Sequence, residues 1–125
     1  MNCNTNCSCA ADNNVIQFIM GTTVNLSFDF DEDISTYTDA KFVIRKNYDS
    51  APIINKTISI TEAHQVNIQI EKTETENYND FENEKTSATN IWGLDLLDSN
   101  TGEQINVFPQ VGEAAPLCII YKHVV

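Results

Sequence analysis

Positive charge is what this chain has least of. Seven Lys and Arg stand against eighteen Asp and Glu in 125 residues, a formal charge of -11. Phosphate backbones and anionic bilayers are held by clusters of Lys and Arg, so this balance speaks against nucleic acid and against a membrane surface as partner. Long apolar runs are missing too: none approaches the roughly 20 residues that cross a bilayer. The first residues lack the basic start and apolar middle of a secretory leader, so export by that route is not expected. Only four glycines are present, and none builds a G-x-G-x-x-G turn or a P-loop. The two histidines, His64 and His123, lack a His-x-x-x-His spacing, and no G-x-S-x-G elbow supplies a nucleophile. From these absences we expect no catalytic residues, no cofactor and no metal; the chain reads as something other than an enzyme.

Cysteine is scarce and oddly placed. Cys3, Cys7 and Cys9 crowd the Asn-rich start, but their C-x3-C-x-C spacing is not the paired spacing of a structural zinc site. Cys118 lies in an apolar segment, where a thiol behaves as a small buried hydrophobe. Residues 1–14 show no periodicity and read as a flexible tail. Residues 15–125 read as one domain, long enough to bury about two thirds of the surface its unfolded chain would expose.

What fills that domain is alternation. Val24, Leu26, Phe28 and Phe30 share one face of a segment whose other face is Asn25, Ser27 and Asp29, the period of a half-buried strand. Ala40 to Lys46 turns Phe42 and Ile44 inward and Lys41, Val43 and Arg45 toward water. Ile53 to Ile60 and Val66 to Ile70 alternate likewise across a short polar turn, and they read as a hairpin with each other. The central stretch is Asn90 to Phe108. Trp92, Leu94 and Leu96 form one face, Asp98 to Glu103 gathers turn formers around Gly102, and Gln104 to Phe108 alternates again before Pro109. Leu117 to Val125 is apolar on most of both faces and is expected inside its sheet. The expected core is therefore Leu26, Phe28, Phe30, Phe42, Ile44, Trp92, Leu94 and Leu96.

Two acidic stretches interrupt the pattern. Asp29, Asp31, Glu32 and Asp33 lack the spacing and glycine of a calcium loop and read as solvated. In 72–85, Tyr78 and Phe81 stand three apart, so a turn or two of helix would lay both rings on the end of a sheet while the carboxylates stay wet. General acid–base work by those carboxylates would need a cleft that separates their pKa values. Tyr37, Tyr48 and Tyr78 fall in or beside loops and keep a glycan site open. About eight short strands separated by turns make an all-β chain. A single antiparallel β-sandwich is expected, with a small barrel as the alternative and one short helical or irregular acidic segment.

The order of features resembles a known family. Gly21-Thr22-Thr23 is followed by Leu26-Ser27-Phe28-Asp29-Phe30 and an acidic loop, then by Ala40-Lys41-Phe42-Val43-Ile44-Arg45-Lys46. Ile91-Trp92-Gly93-Leu94-Asp95-Leu96, a turn at Asn100-Thr101-Gly102 and a closing apolar strand complete the series. This is similar to the immunoglobulin-like domains of tailed-phage structural proteins, particularly the N-terminal domain family of baseplate upper proteins. Trp92 and Gly112 stand where that family carries an aromatic residue and a glycine; the Cys-rich start has no counterpart. The resemblance implies an immunoglobulin-like sandwich serving as a non-catalytic subunit of a tail, baseplate, neck or head fibre. Such a subunit is made in the bacterial cytoplasm, resides in the virion, and has other virion proteins or copies of itself as partners. A cell-surface or carbohydrate-binding module, with a host-surface glycan as ligand, is the alternative. Val15, Ile16, Phe18 and Ile19 are the expected interaction segment, able to add a strand to a neighbour. A chain without residues 1–20 is then expected to fold and fail to assemble.

Overall fold

The structure, a computed structural model, describes residues 2–5, 9–10, 14–81 and 85–124. Its strands are β1 (Asn2–Thr5), β2 (Cys9–Ala10), β3 (Val15–Ile19), β4 (Val24–Asp29), β5 (Asp39–Arg45), β6 (Pro52–Ser59), β7 (Gln65–Ile70), β8 (Ser87–Leu97), β9 (Gln104–Phe108) and β10 (Leu117–Tyr121); the helix α1 (Lys72–Thr75) lies between β7 and β8. Residues 15–125 thus hold eight strands. The stretch expected as a tail contributes the backbone of two more, β1 against β4 and β2 against β3; Cys7 lies outside the described residues.

β1, β4 and β7 form a three-stranded sheet, and the remaining seven strands form a second in the order β2-β3-β10-β8-β5-β6, with β9 also on β8. All pairings are antiparallel except that of β3 with β10. Among the described residues no ladder joins the two sheets into a closed barrel. The chain is all-β, and its core lies between the sheets.

β8 organises the larger sheet. Its residues 91–97 pair with β5, while on its other edge residues 87–91 pair with β10 and residues 94–97 with β9. Trp92, Leu94 and Leu96 point inward and are buried, as are Phe42 and Ile44 from β5 and Leu26, Phe28 and Phe30 from the β4 segment. The Phe28 ring crosses the gap between sheets, with centroids 5.4 Å from Trp92 and 6.0 Å from Phe42. Trp92 in turn lies 5.0 Å from Phe108, and its indole N–H donates to the Asn14 carbonyl at 3.0 Å. A buried ring that also places its one polar atom satisfies both demands on tryptophan.

The β8–β9 hairpin closes through Ser99–Gly102. Asp98 N–H donates to the Glu103 carbonyl, Gly102 N–H donates to the Asp98 carbonyl, and the Asp98 carboxylate accepts from Asn100 N–H and Thr101 Oγ1. Gly102 takes φ +79°, which a Cβ disfavours. The expected alternation in Gln104 to Phe108 breaks at one place: Phe108 pairs with Leu94 and Asn106 with Asp95, leaving Val107 as an extra residue. This bulge turns Val107 and Phe108 both inward, so two consecutive residues are buried.

Three other expectations change. β6 and β7 are not a hairpin with each other: β6 pairs with β5, and β7 crosses to the other sheet to pair with β4. Period-2 patterning says which face is buried and nothing of which strand lies alongside. The connection is tied down by Phe30 N–H to the His64 carbonyl and Ile34 N–H to the Ala63 carbonyl. In the acidic segment the helix is a single turn that ends before the rings it was expected to carry. Tyr78 and Phe81 nevertheless meet edge to face at 5.1 Å and pack on the core. Finally, β3 is not dispensable. Ile16 and Phe18 are core residues and β3 lies beside β10, so removing residues 1–20 would strip β2 and β3 from the larger sheet and β1 from the smaller, and open the core to water.

Candidate functional site

On the outer face of the larger sheet, away from the core, the side chains of β5 and β8 alternate with those just described. Register brings them into rows: Lys41 beside Asp95 beside Asn106, then Val43 beside Gly93, then Arg45 beside Ile91. Gly93 has no side chain, so the middle row is a dip with the backbone as its floor. The close approach is real, because a Cβ built on Gly93 would stand 3.2 Å from the Phe108 carbonyl oxygen. Pro109 and Ala115 form one bank of the dip and Val43 the other, and the groove measures about 270 Å3.

The two ends of this groove differ. At one end Asp95 is held by two amides, accepting from Gln104 Nε2 at 2.6 Å and from Asn106 Nδ2 at 2.8 Å. Asn106 Nδ2 is also 3.0 Å from the Phe108 carbonyl, which fixes its orientation. At the other end Arg45 donates from Nη1 to the Ser50 carbonyl at 3.0 Å, and Tyr48, 68% exposed, stands beside it. Among the described residues neither Lys41 nor Arg45 forms an ion pair, whereas Lys46 meets Asp80 and Lys56 meets Glu74. β5 thus aims both of its cations, Lys41 and Arg45, into one groove.

A second cavity, about 460 Å3, opens where the inner face of β9 runs out past the smaller sheet. Its floor is Phe30, Ile34, Leu96 and Val107, and its lip carries Ile105, 37% exposed, and the fully exposed Val111. Glu32 and Asp33 line the opposite rim. Asp33 accepts from Ser35 N–H at 2.8 Å, and hydrogen bonding from the Ser35 side chain first and this N–H second holds its carboxyl below the usual carboxylate range.

The residues singled out from sequence are dispersed. Of the expected interaction segment, Ile16 and Phe18 are buried, Val15 is half-buried and Ile19 is 45% exposed. Tyr37 and Tyr48 lie beyond opposite ends of β5, and Tyr78 packs beside Asn90, so the three tyrosines share no surface. His64 is exposed and places Nδ1 2.9 Å from the Glu32 carbonyl and 3.2 Å from that of Phe30, a bridge between loops. Glu74 accepts from Glu71 N–H and from Lys56, which occupies it structurally. Among the described residues no three His, Cys, Asp or Glu come together around a metal position.

The groove over Gly93 was not singled out from sequence, where Lys41 and Arg45 read as a wet strand face. The signal was there in Gly93, a lone glycine inside a strand pattern, which marks a bulge or close backbone approach. No protein-family model, curated protein or solved structure matches this chain.

Proposed function

We propose that this chain is a non-catalytic assembly subunit, an immunoglobulin-like β-sandwich that works by protein–protein contact, within a tailed-phage particle. The observation that supports it best is the cavity at the β9 edge. Among the described residues β9 pairs with β8 on one side only, and the Asp98–Glu103 bond sets the ladder so that the N–H and C=O of Gln104 and Asn106 point away from β8. An unpaired strand edge beside an apolar recess takes a partner strand, with main-chain bonds for affinity and the recess for one apolar side chain. This edge replaces Val15 to Ile19 as the proposed contact, since Ile16 and Phe18 are committed to the core.

Light scattering over a concentration series tests the self-association form of this reading. A defined oligomer is expected for the parent chain and a monomer for Ile105→Lys, which puts a charge on the lip without touching the core. An oligomer indifferent to Ile105→Lys would refute the β9 edge as the contact. A parent chain that stays monomeric alone and with the proteins encoded beside it would refute assembly altogether. The phage assignment predicts tail, portal or tape-measure genes alongside, and it fails if the neighbours are of another kind.

A further inference from the structure

We infer that the groove over Gly93 is a binding site for one acidic sugar residue, such as a uronate or sialate at the end of a glycan, independent of any assembly role. Its walls are β5, β8 and β9; β5 lies between β6 and β8, β8 pairs with β5 through residues 91–97, and where β10 gives way to β9 on the other edge Trp92 N–H donates to the Pro116 carbonyl. Strand addition is open only at the outer edge of β9, outside the groove; over the Gly93 floor recognition falls to side chains.

Those side chains suit a ring bearing hydroxyls and one carboxylate. The carboxylate of Asp95 and the amides of Gln104 and Asn106 form a braced array of acceptors and donors at one end. A braced array loses little entropy when it meets a hydroxyl-bearing ligand. Val43 and the bare backbone at Gly93 give the ring an apolar floor, and Tyr48 offers an exposed aromatic face at the far end. Arg45 spends Nη1 on Ser50 and keeps the rest of its donor fork, whose planar geometry matches a carboxylate.

Placement of the negative charge follows from the spacing. Arg45 and Asp95 lie in different rows, with Lys41 beside Asp95. Lys41 and Arg45 are four residues apart on one strand, about 13 Å at the usual rise. A ligand carboxylate at Arg45 is thus more than a screening length of about 8 Å from Asp95 at physiological salt. The overall charge of -11 is screened likewise, which leaves the nearby cation to decide. At about 270 Å3 the groove sits at the small end of ligand pockets, room for one sugar ring rather than a bound chain.

The test is an amide-resolved NMR titration of the whole chain with three acidic methyl glycosides and their neutral counterparts. The probes are the methyl glycosides of glucuronate, galacturonate and N-acetylneuraminate against those of glucose and galactose. At least one acidic glycoside is expected to shift Val43, Gly93 and Arg45, with its neutral counterpart at least about tenfold weaker. Arg45→Ala should weaken that binding about tenfold, Arg45→Lys less, and Gly93→Ala should abolish it by filling the floor. An unchanged urea midpoint for the Arg45 variants separates a lost contact from a lost fold. The proposal is overturned if none of the three acidic probes shifts these residues, if neutral and acidic sugars bind alike, or if Arg45→Ala binds as the parent does. It is also overturned if a simple carboxylate peptide, acetyl-Gly-Gly, shifts the same residues more strongly than every acidic sugar.

Discussion

Phe28→Ala is the most informative single change, because Phe28 is where the two sheets meet. Its ring is fully buried, and its centroid lies within 6.5 Å of those of Phe42, Trp92 and Phe108, all on the opposite sheet. Truncation removes the transfer free energy of the ring and leaves a cavity whose walls are other rings on paired strands, with little freedom to collapse. Phe→Ala changes in cores cost about 3–5 kcal/mol, and the three tilted ring contacts place this one near the upper figure, about 4–5 kcal/mol. Against a native stability of about 5–15 kcal/mol, that leaves the variant marginal or unfolded at 25 °C. Phe28→Leu keeps most of the volume and should cost only about 1–2 kcal/mol. Urea unfolding followed by tryptophan fluorescence reads both, since Trp92 is the sole tryptophan, is 2% exposed and touches Phe28. The expected result is a midpoint that falls steeply for Ala and modestly for Leu at unchanged slope. A Phe28→Ala cost below about 1 kcal/mol would mean that the sheets do not share this core, and the packing account above would be wrong.

Alkali should destabilise the fold. Burial raises the Tyr78 phenol above its ordinary 10.0, Asp80 adding to this and the Asn90 bond opposing it, so the folded state keeps a proton that the unfolded chain gives up. That contribution is complete below pH 10 and drains away as pH climbs through the folded value. Tyr78→Phe should flatten the alkaline limb of a stability-versus-pH curve. It should also cost about 1 kcal/mol at neutral pH, because the fully buried Asn90 loses its partner hydroxyl; an unaltered limb would refute the assignment. Gly102→Ala has open space around the new Cβ, so its cost is purely the backbone strain at φ +79°, about 1–2 kcal/mol in urea unfolding, with Asn at the same place costing less. Equal costs for Ala and Asn would show that something other than φ governs the turn.

How far the sequence could be read depended on the range of the interaction. Faces of strands were plain because each face repeats every second residue: Val24 to Phe30 and Trp92 to Leu96 declare their buried side without reference to any partner. Turns were plain for the same local reason, with Asp98 and Gly102 supplying the bonds and the φ that close the hairpin. Pairing between distant strands was not. Nothing in Ile53 to Ile60 says that it lies on β5 while Val66 to Ile70 crosses to β4, because both have the same period and both follow a polar turn. The bulge at Val107 was hidden too, since an extra residue in one strand is defined only against the other. The groove over Gly93 combines both difficulties: three strands supply it, and its floor is an atom that is missing.

The edges of the two sheets argue for where contact is made. β6 and β7 end their sheets on the same side, and that side is guarded. β6 opens with Pro52, which has no N–H to offer, and Lys56 reaches across to the Gln69 carbonyl of β7 while paired with Glu74 at 3.0 Å. A charged side chain laid over an open edge is a known way of refusing a partner strand. β9 carries no such device: it has no proline and no charged residue among Gln104 to Phe108, and its exposed members include an isoleucine. If both edges were merely tolerated, the same device would serve for both. That one edge is closed by a lysine and the other lies bare beside an apolar recess supports the proposed association through β9. Lys56→Ala should then raise association through β7 without altering association through β9, whereas Ile105→Lys should do the reverse.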